Sequence, residues 1–128
     1  MRIRIKNGLP YISATLIHHS QRVTLKNVLL DTGSAGSIFS TDKIAGIGLT
    51  YEPDDFVHRI RGVGGSEFVF TKRVDVLKAG DLKIAGFEIE IGAMNYGFEM
   101  DGIIGVDFLS MVGALIDLKR RELRSSRK

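Results

Sequence analysis

The sequence predicts an all-β domain with one short helix near its C-terminal end, and three observations carry that expectation. Apolar and polar residues alternate with period two over most of the chain, most openly in Glu88-Ile89-Glu90-Ile91. Gly, Asn, Asp or Pro breaks the alternation roughly every 8–12 residues, the rhythm of short antiparallel strands. At 128 residues, 44% of them apolar, the chain is long enough to bury one core and too short for two.

Taken in order, Tyr11 to Ile17 and Arg22 to Leu30 read as a hairpin around His19-Ser20-Gln21. Ile38-Phe39 continues as a strand, and Thr41 to Ala45 can form one helical turn with Thr41 as N-cap and Asp42 in the first turn. A second hairpin pairs Val57–Arg61 with Glu67–Lys72 around Gly62-Val63-Gly64-Gly65. Val74 to Leu77, Leu82 to Ile84 and Phe87 to Ile91 are further strands. Val106 to Val112 is the helix, with Val106 and Leu109 on one face. Ala114 to Leu118 and Glu122 to Arg124 form a last hairpin about Lys119-Arg120-Arg121. Residues 1–124 are expected to be a single domain and 125–128 a basic tail.

The net charge of +3 resides in that tail region: Lys119 to Lys128 holds six basic residues against Glu122, leaving twelve basic and fourteen acidic residues for positions 1–118. A solvated terminal segment is the expected reading, and a nucleic acid partner is not expected. With no cysteine, disulfides, thiolate metal sites and a cysteine nucleophile are excluded. Met1 to Lys6 alternates charge with isoleucine and lacks the roughly 7–15-residue apolar core of a signal peptide, and no run approaches the ~20 apolar residues of a membrane span. A cytoplasmic protein is therefore expected.

The chemistry concentrates in Val28-Leu29-Leu30-Asp31-Thr32-Gly33-Ser34, where an apolar strand runs into an acid. A carboxylate at the end of a buried strand is costly unless hydrogen bonds or a chemical task compensate. Gly33 can turn the backbone and offer its N–H to that carboxylate, while Thr32 and Ser34 supply hydroxyls. An ordinary strand-end turn uses the same residue types. A phosphate-binding loop is not expected, because no lysine follows Gly36-Ser37 and no long helix opens there. A serine nucleophile would need a base from His18, His19 or His58, and the first two, being adjacent, are expected to point to opposite faces of a strand and to lie at the surface. No metal or other cofactor is expected.

Two segments add weight to Asp31. Arg61-Gly62-Val63-Gly64-Gly65-Ser66 has three glycines in four positions, suited to an arm that folds over an extended ligand or simply to a glycine-rich turn. Asp101 to Gly105 is a very apolar strand whose closing glycine permits close approach to the Asp31 turn, with a helix after it.

In this order the three elements, from about Tyr11 to Leu123, resemble the retropepsin-like aspartic proteases, most nearly the single-domain bacterial members, which share the look of Gly105-Val106-Asp107-Phe108-Leu109 before Ala114-Leu115-Ile116-Asp117-Leu118. The resemblance implies a closed β-barrel and an aspartic endopeptidase. One Asp-Thr-Gly per chain implies a homodimer whose two Asp31 carboxylates share a proton and activate water against a peptide or protein substrate. Asp31, Thr32 and Gly33 are then the catalytic turn. Val63, Gly64 and Gly65 are the tip of a covering flap, and Ile103, Ile104 and Gly105 the floor, these six together with Ser34 making the substrate-binding set. Ser34, where many retroviral relatives have alanine, is expected to donate to the carboxylate and to make the rate optimum more acidic than in Ser34→Ala. A catalytically silent peptide-binding or dimerisation domain is the alternative.

Overall fold

Alternation becomes strand wherever one face can be buried, and the computed structural model, which describes residues 1–62, 65–94 and 99–127, shows a mostly β protein. The strands are β1 (Arg4–Lys6), β2 (Leu9–His18), β3 (Gln21–Leu30), β4 (Ile38–Ser40), β5 (Val57–Gly62), β6 (Gly65–Ala79), β7 (Leu82–Gly92), β8 (Gly102–Ile104), β9 (Ala114–Asp117) and β10 (Glu122–Ser125). Two short helices, α1 (Thr41–Ile44) and α2 (Val106–Met111), interrupt them. Eight strands form one sheet in the order β1-β2-β3-β8-β4-β7-β6-β5, and β9 pairs with β10.

The long sheet turns back on itself through a further contact of β2 with β6, Thr15–Ile17 against Val76–Lys78. A closed barrel was the expectation; what is observed is a ring-like sheet defined by these pairings. Its inward faces supply a core that includes the fully buried Ile12, Leu16, Phe39, Leu77, Ile89, Ile91 and Ile104, and α2 adds Phe108. Burying an aliphatic or aromatic side chain of this kind stabilises by roughly 1.5–3 kcal/mol. Phe108 of α2 meets Phe87 of β7 edge to face, with ring centroids 5.8 Å apart, and so ties the helix to the sheet.

Several elements are longer than their sequence pattern implies. The two runs at 67–72 and 74–77 are one continuous β6, and the two at 82–84 and 87–91 are one β7. Both stay in register past Gly86, whose φ of 63° interrupts the pattern without ending the strand. In α1, Ser40 and not Thr41 occupies the N-cap position, and no side chain caps the helix.

The chain ends are joined within the molecule. The Met1 ammonium donates to the Leu123 carbonyl at 2.7 Å, Leu123 N–H to the Met1 carbonyl at 2.8 Å and Ile3 N–H to the Arg121 carbonyl at 2.9 Å. Ile3 and Leu123 are both buried beneath these bonds. β10 reaches Ser125, one residue into the segment read from the sequence as a tail. Among the described residues no helix is long and apolar enough to cross a membrane.

Candidate active site

β8 lies between β3, to which it is parallel, and β4, to which it is antiparallel, so the loop from Asp31 to Ser37 leaves one neighbour of β8 and returns as the other. This crossing forces the loop against the end of β8. The Asp31 N–H donates to the Ile104 carbonyl at 3.0 Å and the Val106 N–H to the Ser34 carbonyl at 2.8 Å. A Cβ on Gly105 would lie 2.6 Å from the Ser34 carbonyl oxygen and would also overlap that of Gly36, so only glycine allows the approach.

Register is set upstream by a bulge. Ile12 faces Val28 and Ala14 faces Leu25, which places Lys26 and Asn27 together opposite Ser13. The extra residue lets Leu25, Val28 and Leu30 all point inward. Asp101 occupies the bulge: its carboxylate accepts from the Asn27 N–H at 3.0 Å, and its own N–H donates to the Asn27 carbonyl at 2.8 Å. β8 therefore starts at a fixed height beside β3, and Asp31 arrives opposite its end.

Asp31 is half-buried, and its Oδ1 accepts from the Gly33 N–H at 2.9 Å, the contact expected from the sequence. The Asp31 carbonyl accepts from the Ser34 N–H at 3.1 Å, closing the turn. Thr32 and Gly33 are exposed. The Ser34 hydroxyl donates to the Gly36 carbonyl at 2.7 Å, so the expectation that it donates to the Asp31 carboxylate is corrected. The turn carries its side chain toward the following residues, where an unpaired carbonyl is nearer to hand.

A partly buried network that the sequence reading did not assign locks the loop from behind. Asp107 accepts from the Ser37 N–H at 3.1 Å, the Ser37 hydroxyl at 2.8 Å and the Phe108 N–H at 2.8 Å. Ser37 Oγ in turn accepts from the Gly105 N–H at 3.1 Å. One carboxylate at the start of α2 thus joins both ends of the substructure. The signal that could have found it is an acid three residues after an apolar Ile-Ile strand in a short helix, meaningful only once that strand is known to lie beside the Asp31 loop.

Of the other site residues inferred from sequence, Ile103 is half-buried and pairs with both Leu29 and Ile38. Ile104 is fully buried on the opposite face and serves the loop through its carbonyl; its side chain belongs to the core. Gly65 opens β6 opposite Gly62, whereas Val63 and Gly64 lie outside the described residues.

The β5–β6 arm is held at its root by charge. The Lys72 ammonium bonds Glu52 and lies 3.0 Å from an Asp55 oxygen. Burial pushes Asp55 up, but the Glu52 N–H, at 2.8 Å, and the Lys72 ammonium outweigh it and hold the carboxyl below its ordinary value. Desolvation alone would lower Lys72; its hydrogen bonds to Glu52 and Asp55 raise it above the ordinary lysine value.

The histidines depart from expectation. His19 and Ser20 have φ of 49° and 67°, so His19 belongs to the turn, and its ring stacks on that of His18 at 3.9 Å instead of facing the other way. His18 is buried, not at the surface, and its pKa is lowered by that burial and then by His19, with Asp75 opposing. This pair sits at the far end of β3 from Asp31. Among the described residues there is no group of three or more His, Asp or Glu side chains able to hold a metal ion.

A sheet of this order, with an Asp-Thr-Gly turn threaded past an Ile-Ile-Gly strand, defines a class, and comparison with known families agrees. The aspartyl protease family model matches residues 17–108, and the chain belongs to that family, which is of the retropepsin-like type. A comparison with curated proteins gives no match.

Proposed function

We propose that the protein is an aspartic endopeptidase assembled from two copies of this chain, with the Asp31 carboxylates meeting at a two-fold axis. The observation that carries the reading is the Asp31 turn itself. A carboxylate stands at a strand end with one oxygen held by the Gly33 N–H, on a loop fixed from behind by Ser37 and Asp107. Such fixing is what a catalytic acid requires and a surface turn does not. Family membership supports the chemistry, and the occurrence of one such turn per chain supports the pairing.

In the pair, two carboxylates at close range share one proton. The unprotonated carboxylate takes a proton from a bound water as that water attacks the scissile carbonyl. The protonated one donates to the carbonyl oxygen, and collapse of the tetrahedral species transfers a proton to the leaving nitrogen. The exposed Thr32 and Gly33 leave loop surface for the two copies to bury against each other, with Thr32 facing its symmetry mate. The β5–β6 arm covers the peptide and limits water.

Asp31→Asn tests this: cleavage of an unstructured protein should fall at least about a thousandfold, with fold and dimer intact. Mixing tests the pairing. At constant total protein, equal parts of wild type and Asp31→Asn should retain about a quarter of the activity, against about half if each chain worked alone. Undiminished cleavage by Asp31→Asn would remove Asp31 from the chemistry, and wild-type protein that binds peptides but cleaves none would leave a peptide-binding or dimerisation domain as the reading.

A further inference from the structure

Asp31 continues the alternation of β3, so it shares a face of the sheet with Leu29. Across the ladders that face runs from Leu29 to Ile103, from Ile103 to Ile38, from Ile38 to Glu90 and from Glu90 to Thr71. Two residues beyond Thr71 on the same face, Val69 pairs with His58 of the arm. Leu29, Ile103, Ile38 and Val69 are apolar, and in their midst Glu90 brings a carboxylate to the face that bears Asp31. Its place is set on the backbone, because the Glu90 N–H donates to the Ser37 carbonyl at 2.9 Å.

The two carboxylate oxygens of Glu90 are not equivalent. Oε2 pairs with Nε2 of His58, so the arm supplies its partner. Oε1 lies against Gly36 in the Asp31 loop, in space that a Cβ at position 36 would take. Among the described residues Oε1 accepts no hydrogen bond, and the side chain as a whole is 21% exposed. Two residues along β7, Glu88 is paired with Arg73 at 3.8 Å, and both are well exposed.

We infer that Glu90 is a specificity-determining residue: its Oε1 receives the ammonium or guanidinium of a lysine or arginine in a bound peptide, while His58 holds Oε2 and fixes the carboxylate. The inference rests on the peptide-cleaving reading of the same face. The half-buried Leu29 and Ile103 on this face suit the aliphatic stem of such a side chain, and the carboxylate suits its head. A partly desolvated carboxylate discriminates strongly against a side chain that leaves it unpaired.

The test separates binding from cleavage. Asp31→Asn protein is titrated with extended peptides in which lysine or norleucine is placed at each position in turn, and the lysine-to-norleucine affinity ratio is read. At one position the ratio should be about tenfold or more, and adding Glu90→Gln should bring it below about twofold. Glu90→Asp, which keeps the charge but withdraws it by a methylene, should give an intermediate ratio and serves if Glu90→Gln fails to fold. His58→Ala, which leaves both oxygens to the peptide, should hold or raise the ratio. No lysine preference at any position, a ratio that survives both Glu90 variants, or no peptide binding at all overturns the inference. Wild-type protein that cleaves nothing, beside Asp31→Asn protein that shows the expected ratios, would remove the protease reading and leave this one standing.

Discussion

The Asp31 loop is held by backbone and buried side-chain hydrogen bonds, whereas the β5–β6 arm is held at its root by charged groups on a short loop and keeps large apolar side chains in water. Phe56 and Phe68 of the arm region are 70% and 64% exposed, while Ser37 beneath the loop is 1% exposed. Arg59 stands over the Phe68 ring at 4.9 Å, a contact that solvent reaches. A catalytic group must keep its geometry through every turnover, and buried networks provide that. On the proposed function the arm must be able to part from the body to admit an extended peptide, and a root held by a few ionic contacts, with the Glu52 side chain in water, allows it.

Substitutions on the two sides should therefore differ in size. The largest effect is expected from Gly105→Ala, because the obstructing atoms are the carbonyls of Ser34 and Gly36, which are backbone and cannot swing aside. A loss of about 3 kcal/mol or more in denaturant unfolding should accompany lost cleavage. A variant as stable as wild type would show that the loop is not seated on β8 as described.

Asp107→Ala comes next. It leaves Ser37 and the Phe108 N–H without their acceptor, at a cost of about 2–3 kcal/mol, and should lower turnover by loosening the loop. Asp107→Asn, which keeps one acceptor oxygen, should cost about 1 kcal/mol. Equal losses in the two would mean that packing and not the hydrogen bonds matters there.

Ser34→Ala removes one partly buried bond to Gly36 and should cost about 1 kcal/mol while leaving the pH dependence of cleavage in place. A shifted pH profile would restore the direct contact with Asp31 that the sequence had led us to expect.

The smallest effect belongs to the arm. Asp55, held below its ordinary value, contributes stability that is present above the ordinary carboxylate range and is lost as pH falls through its lowered pKa. Lys72, raised above its ordinary value, contributes stability present below the ordinary lysine pKa and lost as pH rises through the raised one. Lys72→Met should flatten both limbs of a melting-temperature profile, by less than any substitution at the loop. A collapse of the fold in Lys72→Met would erase the contrast drawn between the two sides.

Period-two alternation, turn residues and the one Asp-Thr-Gly turn were legible in the chain because each is a local matter: strand periodicity and turn chemistry are decided by neighbours in sequence. They identified the strands other than β1, together with α2, the Asp31 turn, the Gly33 bond to its carboxylate and the family. What local rules could not reach depended on residues far apart in the chain. The bulge at Lys26 and Asn27 is filled by Asp101, 74 positions from Asn27. Ser37 meets Asp107 across 70 positions, and the rings of His18 and His19 stack because a turn with positive φ follows β2. Whether Ser34 bonds Asp31 or Gly36, and on which face Ile104 lies, was settled by the placement of β8 between β3 and β4. That placement buries Ile104 fully and sets Ile103 between Leu29 and Ile38, and no spacing along the sequence encodes it.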